Sequence, residues 1–226
     1  MIVAVSSIRN EEAIIEKSIT HTLGAGADHV IVSDGQSTDK TREIIAELDN
    51  VTAVSQDGPF SQPVEMMRLA ELAWGLGADW VVPFDADEFW TDLEPLRDLP
   101  GMVTKVFAQV FGHASWDLRH REPRRLPKVC FRDAVSVEWG QHNCTTVRGE
   151  VRDGFEIREL QYQSYEHFLE KIEKSRHLFA TSSFHEGHGS HMRTLVAASP
   201  GERDAEWARL CAIPTVHDPI PYRGAR

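Results

Sequence analysis

Four short apolar runs, each followed by residues at helical spacing, constrain this chain more than any other feature. Ile2–Ser6, His29–Ser33, Val51–Ser55 and Trp80–Phe84 read as buried strands. Between them, Ile15, Ile19, Thr22 and Leu23 mark the inner face of one helix, and Ile44, Ile45 and Leu48 that of a second. Val64–Leu76 reads as a third, with Met67, Leu72 and Ala73 inward. Strands alternating with helices predict a Rossmann-like α/β fold, a mostly parallel sheet with helices on both faces. Asn10 is expected to cap the first helix, and Ser37 or Thr38 the second. Gly24 and Gly26 are expected to end the first.

In such sheets ligands bind beyond the carboxyl ends of the strands. Asn10, Asp34 and Asp85 each follow a strand, so the sheet gathers them at one edge. In Asp85-Ala86-Asp87 the alternation of an extended chain lets both carboxylates reach one ion. Oxygen ligands suit a hard cation, Mn²⁺ or Mg²⁺, acting as a Lewis acid on a diphosphate. An isolated Asp-x-Asp is common on solvated loops; here Trp80–Phe84 precedes it and Glu88-Phe89-Trp90 follows, which favours the metal.

The second half is irregular and reads as an acceptor-side region. Met102–Phe111, Val129–Phe131 and Val135–Trp139 read as strands, and the charged stretch His113–Pro127 as a loop. Tyr165–Phe179 and Glu202–Cys211 read as helices, and Pro214–Arg226 as a polar tail. His185-Glu186-Gly187-His188 has the wrong spacing for a zinc protease, and its glycines oppose the helix such a site needs. A loop closing over a ligand fits it better.

A net charge of −11 argues against nucleic acid as a partner. Arg119, Arg121, Arg124, Arg125 and Lys128 form a local basic cluster, read mostly as a solvated loop. Three cysteines without close pairing suggest free thiols. No signal peptide is recognisable, and no apolar run approaches the roughly 20 residues that span a bilayer. The expectation is a cytoplasmic protein without an integral membrane segment, peripheral membrane contact remaining open.

Asn10-Glu11-Glu12, Asp34 to Asp39, and Asp79-Trp80 leading to Asp85-Ala86-Asp87-Glu88-Phe89 resemble family 2 glycosyltransferases in order and rough spacing. Tyr162 to Phe168 with Lys171, and His191-Met192-Arg193, resemble one bacterial branch of that family. Two positions depart from the branch: Glu159 stands where histidine is common and Gln163 where arginine is. The resemblance implies a GT-A fold, a nucleoside-diphosphate sugar donor, a divalent metal and an inverting transfer. It implies one glycosyltransferase domain over 1–226, residues 1–90 holding the nucleotide sugar and 91–226 facing the acceptor.

By the same resemblance, Asp34 and Arg68 contact the nucleotide, Asp85 lies near ribose and metal, and Asp87 is the main metal ligand. Asn10 and Glu11 border the base, and Arg193 is a candidate for the diphosphate. His142 is the preferred third metal ligand and His191 the second choice, each weighed against an ordinary hydrogen-bonded histidine. Glu138 and then Asp117 are the candidates for the general base, with Asp133 third. Trp116 is a candidate for stacking on a sugar. The acceptor is open: a glycan, a lipid-linked glycan or a small molecule. A nucleotidyltransferase, or a catalytically silent nucleotide-sugar-binding protein on this fold, are the alternatives.

Overall fold

The computed structural model describes residues 1–56, 60–137, 141–146, 149–181 and 190–224. The first half runs β1 (Ile2–Ile8), α1 (Ile15–Gly24), β2 (His29–Asp34), α2 (Thr41–Ala46), β3 (Val51–Ser55), α3 (Gln62–Gly75), β4 (Trp80–Pro83) and β5 (Glu88–Trp90). A short 3-10 helix, Glu94–Asp98, leads into β6 (Val103–Gly112), β7 (Leu118–His120), β8 (Lys128–Phe131), β9 (Ala134–Val137), β10 (Cys144–Thr146) and β11 (Glu150–Glu159). The chain continues through α4 (Tyr165–Thr181), α5 (Ser190–Ala197), α6 (Pro200–Cys211) and β12 (Thr215–His217).

Eight strands form the main sheet in the order β3-β2-β1-β4-β8-β6-β11-β5. The pairs β1–β2, β1–β4, β2–β3 and β6–β11 are parallel; β8 runs antiparallel to β4 and β6, and β5 antiparallel to β11. This is the expected mostly parallel α/β sheet.

Alternation along β1 builds both sides of the core. Ile2, Ala4 and Ile8 pack with Ile15 and Ile19 of α1 and Ile45 of α2. Val3 and Val5 pack on the other face with Met66, Leu69, Ala70 and Ala73 of α3. The expected inner face of α3 is therefore rotated: Met66 is fully buried, whereas Leu72 is 39% exposed. A third cluster, Tyr162, Phe168, Ile172 and Leu195 with Trp207 against them, holds α4, α5 and α6 together.

Helix α1 ends at Gly24, with Gly26 at φ 123° just beyond it, as expected, but the expected N-terminal caps are not formed. The residues preceding α1 and α2 are Ile14 and Lys40, and neither makes a side-chain cap bond. Asn10 instead adopts φ 55° and ties the β1 loop to the β2 loop. Its backbone N–H donates to Ser37 Oγ at 2.9 Å, and its Oδ1 accepts from Thr38 N–H at 2.8 Å. Asparagine tolerates the left-handed region better than most residues. Asn10→Ala is expected to cost about 1–3 kcal/mol through strain and lost hydrogen bonds. Asn10→Gly, which removes only the bonds, should cost less; equal denaturation midpoints for the two variants would rule out backbone strain.

His21 is fully buried and uses both ring nitrogens. Nε2 donates to Trp90 O at 2.7 Å and Nδ1 accepts from Arg223 N–H at 3.1 Å, which fixes a neutral ring. The C-terminal segment is thereby fastened to α1 and β5. Burial lowers its pKa.

His113, just past β6, donates from Nδ1 to Ser115 O at 3.1 Å, leaving Nε2 buried without a partner. Burial pushes its pKa down from 6.5 to about 4. A depressed histidine contributes stability that is complete above its unfolded pKa and is lost as pH falls through the folded one. Thermal midpoints should therefore fall between about pH 6.5 and 4 less steeply in His113→Asn than in the parent chain. Parallel curves would remove His113 as the cause.

Candidate functional site

The carboxyl ends of β1, β2 and β4 carry Asn10, Asp34 and the Asp85–Glu88 turn on adjacent parallel strands. Asp34 is 5% exposed; its oxygens accept from Ser37 N–H at 3.2 and 3.3 Å, and Arg42 Nε lies 3.3 Å away. Glu11 N–H donates to Thr41 Oγ1 at 2.8 Å, so the first two loops form one bonded rim. Arg68, on α3, reaches this edge. It pairs with Glu65 at 2.6 Å and donates to Ser33 Oγ at 3.3 Å and Ser55 O at 3.4 Å.

In the turn after β4, Glu88 N–H donates to Asp85 O at 2.9 Å and Asp85 N–H to Glu88 Oε2 at 3.0 Å. Asp87 O accepts from Leu160 N–H at 2.9 Å, which fastens the turn to the end of β11. Asp87 is buried, while the Asp85 side chain is 41% exposed and faces outward.

Three lysines converge here. Lys128, the first residue of β8, lies 2.6 Å from Asp85 Oδ2 and 3.0 Å from Glu88 Oε1. Lys171 of α4 lies 2.5 Å from Asp87 Oδ2, and Lys174, one turn on, donates to Asn10 O and lies 3.5 Å from Glu11 Oε1. Arg124 and Glu159 form a further pair beside them.

Burial alone would raise Asp87; the charge of Lys171, then that of Lys128, outweighs it and holds the carboxyl below its ordinary range. Burial opposes charge on Lys128 and Lys171 too, but the facing carboxylates keep both ammoniums protonated. Burial raises Glu88 and Glu159 against the pull of Lys128 and Arg124 respectively.

The donor chemistry of Asp85 and Asp87 suits a hard divalent cation. Each carboxylate already holds a cation, the ammonium of a lysine. Among the described residues, no three of His, Cys, Asp and Glu are gathered as a ligand set. His142 and His191 are thus not joined with Asp85 and Asp87 into one cluster. His142 donates from Nδ1 to Pro127 O at 2.7 Å, leaving its neutral lone pair on Nε2, and burial lowers its pKa.

A cleft of about 1500 Å³ has His113, Arg124, His142, Tyr162, His191 and Trp207 in its walls; Asp34, Asp85, Asp87 and Lys171 do not line it. Arg193 stacks on Phe179 at 4.4 Å. Asp117 is exposed near the β7–β12 pair, its carbonyl accepting from Asp218 N–H at 3.0 Å. Trp116 packs edge-on against Phe89 at 5.2 Å with Lys17 over its ring, so that face is occupied. Glu138 and the His185–Gly189 stretch lie outside the described residues. Lys128, read as part of a solvated loop, is 5% exposed and belongs to the site. Lys174 stands out in no motif, and Glu88 reads only as part of the Asp85–Phe89 motif, with no role of its own. For the lysine the signal is a register: Lys171 and Lys174 are three apart on a helix, and so share a face.

Among the described residues, no helix is long and apolar enough to cross a membrane. Comparison with curated proteins gave no match. Similar solved structures include S. aureus TarS, at 14% identity and TM-score 0.45 over 87% of this chain and 42% of that one. Glucosyl-3-phosphoglycerate synthase from Mycobacterium tuberculosis is similar at 22% identity and TM-score 0.37, over 50% of this chain and 44% of that one. A cytidylyltransferase from Leptospira borgpetersenii is similar at 14% identity and TM-score 0.33, over 47% of this chain and 52% of that one. The chain thus spans less than half the length of the first two. A family model described as Glycosyl transferase family 2 matches residues 4–148, the stretch that carries the rim, the Asp85–Glu88 turn and Lys128; the chain belongs to that family.

Proposed function

We propose that the chain transfers a sugar from a nucleoside-diphosphate donor to an acceptor hydroxyl, with inversion at the sugar carbon. The convergence of Asn10, Asp34, Asp85 and Asp87 at one edge of the parallel strands carries this reading. Asp34, buried at the end of β2, is suited to accept hydrogen bonds from base or ribose. Arg68 borders the same edge through Ser33 and Ser55. Asp87, with Asp85, would hold Mn²⁺ or Mg²⁺. That ion, when bound, would offset the charge building on the departing diphosphate.

The acceptor, a glycan, lipid-linked glycan or small molecule, would enter through the cleft lined by Arg124, His142, Tyr162 and Trp207. Trp207, half-buried in its wall, gives it an aromatic surface beside which a sugar ring can rest. Action from the cytoplasm belongs to this reading, in keeping with the buried free thiols of Cys130 and Cys144.

Thermal unfolding with a panel of nucleoside diphosphates, with and without Mn²⁺, tests the donor site. A ligand bound only by the folded state raises the midpoint. The expected result is a shift with one nucleotide that requires Mn²⁺ and disappears in Asp87→Ala. A panel in which nothing shifts the midpoint would remove the donor site. Turnover releasing nucleoside diphosphate, rather than pyrophosphate, separates sugar transfer from nucleotidyl transfer.

A further inference from the structure

The cations on Asp85 and Asp87 are held differently. Lys128 is gripped by both Asp85 and Glu88, and its side chain is only 6% exposed. It starts a strand in the middle of the sheet, so it is part of the frame. Lys171 projects from α4 and, among the described residues, reaches Asp87 alone at ion-pair distance, with its side chain 20% exposed. Lys174, on the same helix face, carries a second positive charge to Asn10 and Glu11.

A carboxylate oxygen that holds an ammonium at 2.5 Å can also take a divalent metal ion only by bringing two cations within about 4 Å of each other, a repulsion that a poorly hydrated site does little to screen. That repulsion favours departure of Lys171 when a metal ion reaches Asp87. An ammonium displaced within a poorly hydrated site needs another anion. A diphosphate bound beside the metal would supply one, within the swing of a four-carbon stem.

We propose that Lys171 is an exchangeable counter-ion of Asp87. It occupies the carboxylate when no donor is bound, competes there with the metal ion, and transfers to the donor's diphosphate when the metal arrives. This rests on the metal reading of Asp87 given above. Metal and diphosphate then bind as a coupled pair, each raising the other's affinity by the same factor. Lys171 is a positioning residue for Asp87 and a binding residue for the diphosphate.

The test is Mn²⁺ alone, titrated into the intact chain without nucleotide and followed through the electron paramagnetic resonance signal of free Mn²⁺. Lys171→Met should bind Mn²⁺ at least tenfold more tightly than the parent chain. Lys171→Gln keeps a hydrogen-bond donor to Asp87 without the charge, and should do the same if the methionine variant fails to fold. Lys171→Arg keeps the charge and should show no tightening. Asp87→Asn added to Lys171→Met should abolish the gain.

If neutral variants at Lys171 bind Mn²⁺ no more tightly than the parent while Asp87→Asn still weakens binding, the counter-ion proposal falls and the metal reading stands. If Asp87→Asn changes Mn²⁺ binding in neither background, the metal reading itself falls, and the proposal with it.

Discussion

Asp87→Ala is expected to lower turnover by about a hundred- to a thousand-fold, the usual cost of removing one element that stabilises charge in a transition state. Asp87 is buried, ion-paired to Lys171, and anchored through its carbonyl to Leu160 N–H, so its carboxylate sits in a prepared position. The alanine leaves Lys171 without its carboxylate partner, so part of the effect reaches stability. Asp87→Asn keeps the shape and isolates the charge. Release of nucleoside diphosphate, measured on variants shown to be folded by circular dichroism, checks this. Turnover within tenfold of the parent chain in both variants would remove Asp87 from the chemistry.

Lys128→Met should have the largest effect on stability. Removing one partner of a buried ion pair costs about 3–5 kcal/mol, because the other charge stays buried and unpaired. For a chain of this size that is a fall of roughly 6–20 °C in the thermal midpoint. The full cost applies where Glu88, 2% exposed and with its pKa raised by burial to about 8, is ionised; at lower pH it takes up a proton instead, and Asp85, 41% exposed, can turn to water. Glu88→Gln in the Lys128→Met background should therefore recover a substantial part of the loss. Without recovery, an unpaired carboxylate at Glu88 is not the cause.

Strand direction decides how legible the site is. The rule that functional residues lie just past the ends of strands finds Asn10, Asp34 and Asp85, because β1, β2 and β4 are parallel and are written as apolar runs. Two strands run the other way, β8 and β5. An antiparallel strand presents its first residue at the edge where its neighbours present their last. Lys128 and Glu88 are those first residues, and a search confined to strand ends passes over both.

The strand β11 escaped for a different reason. Glu150 to Glu159 alternates charges with few apolar residues, its first half is exposed, and its register against β6 shifts twice. Hydrogen bonding to β6 and β5 recruits it, rather than burial of an apolar face. The caps failed because local propensity at Asn10, Ser37 and Thr38 was outweighed by bonds between two loops 27 residues apart in sequence. Asn10 is still an edge residue, serving as a brace instead of a cap.

The position of β11 also dictates an order of assembly. β5 has one neighbour in the sheet, and that neighbour is β11. The Asp85–Glu88 turn is therefore left unclamped until a strand more than sixty residues later has been made and inserted between β6 and β5. Lys171 comes later still, and the bond from Arg223 to His21 last. Contacts this distant in sequence form slowly, since the loop between them must close before they contribute any energy. A ribosome-bound chain that ends near residue 148, where the family match stops, would hold the rim of the site but neither its clamp nor its second lysine. The fold thus leaves the Asp85–Glu88 turn without its partners until β11 and α4 have both been made.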